Sequence, residues 1–279
     1  MTTPGASATL TDWLAGLVFR LVVGVAILFL LFPIAVSVLL SFDDREFLGK
    51  FPPNSYSLRW YRAFLDNPAY LEGMWTSFRL AVISTFISTC AGVAAAVSLT
   101  RTPWRGRDFI ETLFLSPKFV PTVVIGFSIL GFASALHVFD AFTRLIMGHV
   151  VITLPFTFRA CLASLVGIRR SLLEAAVSLG APPWRAFFDI TLPLARTGIL
   201  AGALMAFVLS FDEVAVSLFL ADAFTQTLPI VLVAEMRTNL NLTVAAVSTM
   251  FASVTLVIVL LLDRVVGLDA VVGRGMYRG

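Results

Sequence analysis

Charge is scarce in this chain, and lysine, cysteine and histidine are scarcer still. Its 279 residues carry 13% charged side chains, with two lysines, two cysteines and two histidines, against 58% apolar residues. Soluble domains run at about 25% charged and about 45–50% apolar, so a water-exposed fold of this size lacks the polar residues to cover itself. Cys90 and Cys161 are far apart and form no CxxC pair, which excludes a disulfide framework and a cysteine zinc site; both read as small packing residues. His137 and His149 have no metal-ligand company and read as structural or interfacial. No HExxH, GxSxG or His-rich cluster is present, so no catalytic or metal-binding residue is assigned. There is no GxxxxGK[ST] phosphate loop either, and the chain should bind no ATP or other cofactor by itself. The pI near 9.2 does not imply a nucleic-acid partner, because the 18 arginines are scattered between apolar blocks instead of forming one face.

What fills the chain is long uncharged apolar blocks, which lipid explains and a soluble core does not. Blocks near the ~20 residues a bilayer requires fall at 14–41, 76–100, 109–135, 142–166, 197–221 and 243–264. The fold class is therefore all-α integral membrane protein with six spans in a single membrane domain over residues 1–279. Arg20 precedes an apolar run from Leu21 to Leu40, longer than the roughly 7–15 residues of a signal-peptide core, and this run reads as an uncleaved first span. The connection from Phe42 to Trp75 holds Pro52, Pro53, Tyr56, Trp60 and Tyr61 among mixed charges and reads as an external segment with aromatic anchors.

Basic residues are retained on the cytoplasmic side, and they collect in alternate connections. One set holds Arg20, Arg101, Arg105, Arg107, Arg169, Arg170, Arg185, Arg196, Arg264, Arg274 and Arg278; the other holds Arg45, Lys50, Arg59, Arg62 and Arg237, with acids interspersed. Both termini are then expected in the cytoplasm. Pro33, Pro117, Pro121 and Pro155 each remove a backbone donor inside a block. The stretch from Ser116 to Pro121 is the most disrupted and carries Lys118; it lines a pathway or is a packed kink.

The connection from Gly167 to Arg196 is too polar to span. Ser171 and Glu174 have capping-box spacing. Leu172 to Leu179 supplies helix formers, Gly180 suits a C-terminal cap, and Pro182-Pro183 stops one helix while suiting the start of another. Two short helices with a sharp bend follow. The second carries Trp184, Phe187 and Phe188 with Arg185 and Asp189 among them, and residue physics alone leaves two roles open, a knob for a partner's groove or helices lying on lipid headgroups.

Glu174-Ala175-Ala176, Gly180, Ile190 and Leu192-Pro193 match every fixed position of EAA-x3-G-x9-I-x-LP, the signature of binding-protein-dependent ABC importer permeases. The resemblance runs from about residue 14 to residue 266, and within that family it is to the spermidine/putrescine-type permeases, whose second subunit has a similar Ser-Phe-Asp-Glu-Val segment. It implies a type I importer fold in the bacterial inner (plasma) membrane. It implies as partners a second homologous permease subunit, two ATP-binding cassette ATPases that carry ATP and Mg, and a periplasmic solute-binding protein. It makes the segment from Glu174 to Pro183 a coupling helix seated in the ATPase, with Glu174, Ala175, Ala176, Gly180, Ala181, Pro182, Trp184 and Arg185 as coupling residues.

Ionisable groups inside hydrocarbon are costly and usually face a cavity or a partner. Asp212 and Glu213, beside Phe211, are the clearest: adjacent residues cannot share one helix face, so one is expected on the pathway while the other pairs with an arginine from another span or from the partner subunit, unless they serve a purely structural ion pair. Lys118 and Phe211 complete the candidate pathway set. Arg79 and Arg159, placed near span ends, are expected to snorkel to the interface. Glu235 and Arg237, in the external connection before the sixth span, are candidates for docking the solute receptor or plain solvated charges. The two acids suit an organic cation such as a polyamine, whereas the Lys118 ammonium would repel one, which keeps other small amino-containing solutes and phosphonates open. The rival reading is an ion-gradient-driven transporter acting without an ATPase, which should show an internal repeat with paired broken helices; none is evident.

Overall fold

The computed structural model describes residues 10–46, 49–101, 106–238 and 242–266, with side chains for these apart from 10–12, 261–263 and 265–266. Arg105, Arg274, Arg278 and both chain termini, which enter the orientation expectation, lie outside the described residues. Among the described residues there is no strand, only an isolated bridge between Asp43 and Tyr56. Five helices among the described residues are long and apolar enough to cross a membrane, six when one sharply bent pair is taken as a single span.

The chain divides into two compact units. The first comprises residues up to Asp66 together with 239–251. Helix α1 (Leu10–Ser41) exposes apolar side chains on every side, Phe29 at 76% for example, and buries none across its spanning stretch. Such a helix is stable only where the solvent is itself apolar. Beyond α1 the chain turns back on itself: the Ser57 amide donates to the Phe42 carbonyl at 2.7 Å. Helix α2 (Arg59–Asp66) then buries Trp60 and Phe64. Trp60 is no interfacial anchor: its Nε1–H donates to the Asp43 carbonyl at 2.7 Å, and its ring packs on Leu242 and Ala246. Asp43 is itself fully buried, and the Arg45 guanidinium bonded to it holds its carboxyl below the usual carboxylate range.

The second unit comprises 67–238 and 252–279. Helix α3 (Pro68–Arg101) begins eight residues before the expected boundary, so Arg79 lies well inside the helix. It rests between aromatic rings, 5.7 Å from Trp75 and 5.4 Å from Phe142, instead of snorkelling from a helix end. Helix α4 (Arg107–Leu115) runs into a 3₁₀ turn at Ser116–Phe119, and α5 (Thr122–Ala135) departs at 107°. The expected single span at 109–135 is thus broken. Pro117 and Pro121 donate no amide, and Val120 takes the extended conformation that a following proline enforces.

Helix α6 (Ala141–Val166), capped by Asp140, which accepts from the Thr143 amide at 2.7 Å, packs between α3 and α9. The interface is built from small and hydroxyl residues, as close packing in lipid requires; Thr157 Oγ1, for instance, donates to the Ser88 carbonyl of α3 at 2.8 Å. Arg159 of α6 pairs with Glu111 of α4 at 3.2 Å, a partner that replaces the expected snorkelling.

After α6 come α7 (Arg170–Ser178), α8 (Pro183–Ala186), a π turn (Phe187–Thr191) and α9 (Leu192–Phe211). The fifth block, expected to span to residue 221, stops at Phe211. Residues 212–214 break it and a six-residue α10 (Ala215–Leu220) follows. Helix α11 (Leu228–Thr238) occupies what was expected to be an external connection; it packs on α3, where buried Ser77 Oγ accepts from the Leu228 amide at 2.9 Å. Helix α12 (Thr243–Val266) matches the sixth block.

Candidate functional site

The polar connection folds as two short helices. Helix α7 starts at Arg170, so Ser171 is already inside it and the expected capping box is absent: the cap position is Arg169, in extended conformation and without a side-chain cap bond. The start is fixed instead by Arg170, whose Nη2 donates to the Thr100 carbonyl at the end of α3 across 2.8 Å. At the other end Gly180 has φ +90°, a backbone that a Cβ disfavours. Its amide donates to the Val177 carbonyl at 2.9 Å and that of Ala181 to Ala176 at 3.0 Å, the paired bonds of a Schellman close. Pro182 then caps α8 and Pro183 occupies its first position.

The bend turns apolar surface outward. Trp184 is 61% exposed, Phe188 56% and Leu179 89%, and Arg185 stacks on the Trp184 ring at 5.3 Å. Glu174 is exposed too. The ion pairs among the described residues are Arg45–Asp43, Arg59–Glu46 and Arg159–Glu111, so Glu174 and the surrounding arginines have no carboxylate–guanidinium partner among the described residues. Glu174, Arg101 and Arg170 border a cavity of ≈ 480 Å³ between α7, α8 and the end of α3. An exposed aromatic group beside an unpaired acid, on a hairpin tied to a long helix, has the chemistry of a docking knob.

The other candidate region is the break after α9. Asp212 closes α9 and is exposed; Glu213 is half-buried and its Oε1 accepts from the Val216 amide at 3.0 Å, capping α10. Neither acid is ion-paired among the described residues, so no arginine of another span among them pairs with either acid. Phe211 is buried, stacked on Phe207 at 5.5 Å; it packs inside the bundle and does not line open space. Lys118 is exposed at the elbow of the broken span, its Nζ 5.7 Å from the Phe156 ring. No ion pair joins Lys118 to the acids. Glu235 and Arg237 lie on α11, Glu235 half-buried and Arg237 exposed in the last turn. Among the described residues no cluster of three His, Cys, Asp or Glu side chains could hold a metal ion.

Sequence reasoning passed over two features. Arg101 and Arg170 lash the hairpin to α3; a polarity count across distant segments was the only available signal. His149, expected to be structural or interfacial, bridges the two sides of the break.

Residues 88–268 match the family described as binding-protein-dependent transport system inner membrane component. The chain belongs to this family. Among curated relatives of this inner membrane component, the chain is similar to the spermidine/putrescine transport system permease protein PotC of Shigella flexneri, 28% identical over 88% of this chain and 92% of that protein. It is also similar to the putrescine transport system permease protein PotI of Escherichia coli K12, 28% identical over 80% and 81%. Among solved structures, a bacterial ABC transporter that imports the acidic polysaccharide alginate superposes with a TM-score of 0.71 at 17% identity, covering 92% of this chain and 96% of that one. A methionine ABC transporter in an inward-facing conformation gives 0.59 at 21% identity, covering 70% and 94%. The chain is thus an ABC importer permease subunit, a multi-pass protein of the inner membrane, with polyamine permeases among its relatives.

Proposed function

We propose that this permease forms half of the translocation pathway of an ATP-driven importer for polyamines or other small amino-containing solutes, and that it couples to a separate cytoplasmic ATPase through the hairpin at 170–191. The observation that carries the reading is the hairpin itself: a rigid bend, closed by Gly180 and Pro182, that presents Trp184 and an unpaired Glu174 outward and is anchored to α3 and α9. When two ATPases close on nucleotide, a short stiff element gripped by them moves the spans attached to it as rigid bodies, which exchanges access from one side to the other. Glu174 pairs with a basic residue of the ATPase. The arginine-rich connections support a cytoplasmic position for this hairpin and for both termini. A second related permease completes the path, and a periplasmic receptor delivers the solute near Glu235 and Arg237.

The names of the relatives and the exposed Asp212 support an organic cation as solute, since a carboxylate at the break attracts an ammonium group. Lys118 at the elbow limits how many cationic centres the path tolerates, which favours a short diamine over a longer polyamine. The whole chain acts as one membrane domain.

Co-purification tests the coupling. With all subunits co-expressed, Glu174→Lys should abolish recovery of the ATPase with this chain while leaving its membrane level unchanged. Uptake of labelled putrescine by this polypeptide alone, in vesicles without ATP, would refute the importer in favour of an ion-gradient-driven transporter.

A further inference from the structure

His149 of α6 is completely buried and has a serine at each ring nitrogen: Ser210 Oγ lies 2.8 Å from Nδ1 and Ser217 Oγ 2.9 Å from Nε2. Ser210 is the last residue but one of α9 and Ser217 lies in the first turn of α10, so one imidazole spans the break at 212–214. Ser84 of α3 extends the chain of bonds, its Oγ 2.9 Å from that of Ser210. All four side chains are buried.

The network reaches the backbone at both ends. Ser217 donates its single hydroxyl proton to the Glu213 carbonyl at 3.0 Å, so it accepts from Nε2–H. A neutral ring then has only a lone pair at Nδ1. Ser210 Oγ faces Nδ1 on one side and Ser84 Oγ on the other, and the Ser84 hydroxyl donates to the Leu80 carbonyl at 2.6 Å. The network therefore links α3 through Ser210 to Nδ1, and Nε2 through Ser217 to the backbone of Glu213.

Packing holds the same place. A Cβ on Gly148 would stand 2.5 Å from Leu220 and 2.6 Å from Val216, both fully buried residues of α10, so α10 presses on α6 next to His149. Glu213 is engaged twice, by its carbonyl to Ser217 and by its carboxylate to the Val216 amide. Asp212, beside it, is left as the exposed acid of the pair.

We infer that His149 is a positioning residue for the acidic break, fixing the turn at 212–214 so that the Asp212 carboxylate faces the solute path; the inference rests on the pathway reading above. Imidazole suits the task because it offers one donor and one acceptor on opposite sides of a rigid plane, and a buried group that loses such a partner is expensive.

The test uses the assembled importer in vesicles, with Cys90→Ser removing the exposed thiol and Val214→Cys reporting on the break through its alkylation rate. His149→Leu and Ser217→Ala should each accelerate alkylation and slow putrescine uptake ~10-fold, the effect of one orphaned buried hydrogen-bond partner. The double variant should be no worse than His149→Leu, because one network is broken once. His149→Gln keeps a donor and an acceptor on a planar group and should restore both readouts to within ~3-fold of the parent. If His149→Leu prevents assembly, Ser217→Ala decides.

The inference is overturned if the intact complexes with His149→Leu or Ser217→Ala alkylate at the parent rate, or if His149→Gln is as impaired as His149→Leu. Asp212→Asn separates the two claims. Normal uptake in that variant, with alkylation still governed by His149, removes the pathway reading and leaves His149 as the residue that sets the break. Lost uptake in that variant, with alkylation indifferent to His149, does the reverse.

Discussion

Arg101 Nη2 donates to Thr191 Oγ1 across 3.1 Å, and the same guanidinium lies 5.5 Å from the Phe187 ring, so one side chain at the end of α3 holds both ends of the π turn that follows the hairpin. With the Arg170 bond to the Thr100 carbonyl, the hairpin is fastened to α3 on both of its arms. Motion imposed on it is therefore delivered to a helix that packs along α6 and α9.

Arg101→Ala removes one of these fastenings. A hydrogen bond and a cation–π contact at a half-exposed site are together worth about 1–2 kcal/mol, too little to unfold the bundle. The expected outcome is a complex that assembles and hydrolyses ATP while transporting several-fold less solute per ATP. Arg101→Lys should recover little, because an ammonium cannot bond Thr191 and stack on Phe187 at once. Parallel measurement of uptake and phosphate release checks this.

Gly180→Ala places a Cβ on a residue at φ +90°, where no neighbouring atom obstructs it, so the penalty is conformational alone. Destabilisation of about 1 kcal/mol is expected, enough to loosen the bend. Gly180→Asn should be milder, since asparagine tolerates left-handed backbone better than alanine. The ratio of ATPase to permease recovered in purification should fall in the order Gly, Asn, Ala.

Asp43 makes the loop after α1 sensitive to acid. The Arg45 guanidinium lowers its pKa below the ordinary value of 3.8, so the folded loop favours the ionised form. This stabilisation is fully present above the unfolded value and disappears as pH falls through the depressed folded value. Protease sensitivity of the segment after α1 should therefore rise below about pH 4. Asp43→Asn should show raised sensitivity at neutral pH and no further acid step.

The spans were readable because lipid imposes a length and a composition on any helix that crosses it, and the motif from Glu174 to Pro193 was readable because its spacing is rigid. The two breaks were legible unequally. Pro117 and Pro121 announced one; the other, at 212–214, has no proline and was hidden inside a continuous apolar block, since Asp212 and Glu213 looked like charges within a helix. Their role as its terminus depends on Val216 and Ser217 finding Glu213, a fact of three-dimensional packing. Trp60 and Arg79 were misplaced for a related reason. An aromatic or a cation near a block edge looks interfacial until a partner is seen, the Asp43 carbonyl for one and the rings of Trp75 and Phe142 for the other.

The π turn at Phe187–Thr191 gives the motif's nine-residue gap between Gly180 and Ile190 a mechanical meaning. One more residue in the hydrogen-bonded loop than in an α-helix changes the azimuth at which the preceding segment leaves the span, and each residue of an α-helix accounts for about 100° of rotation. Removing Asp189 would keep Trp184 and Phe188 yet swing them by about 100° relative to α9. The gap length is thus a compass setting.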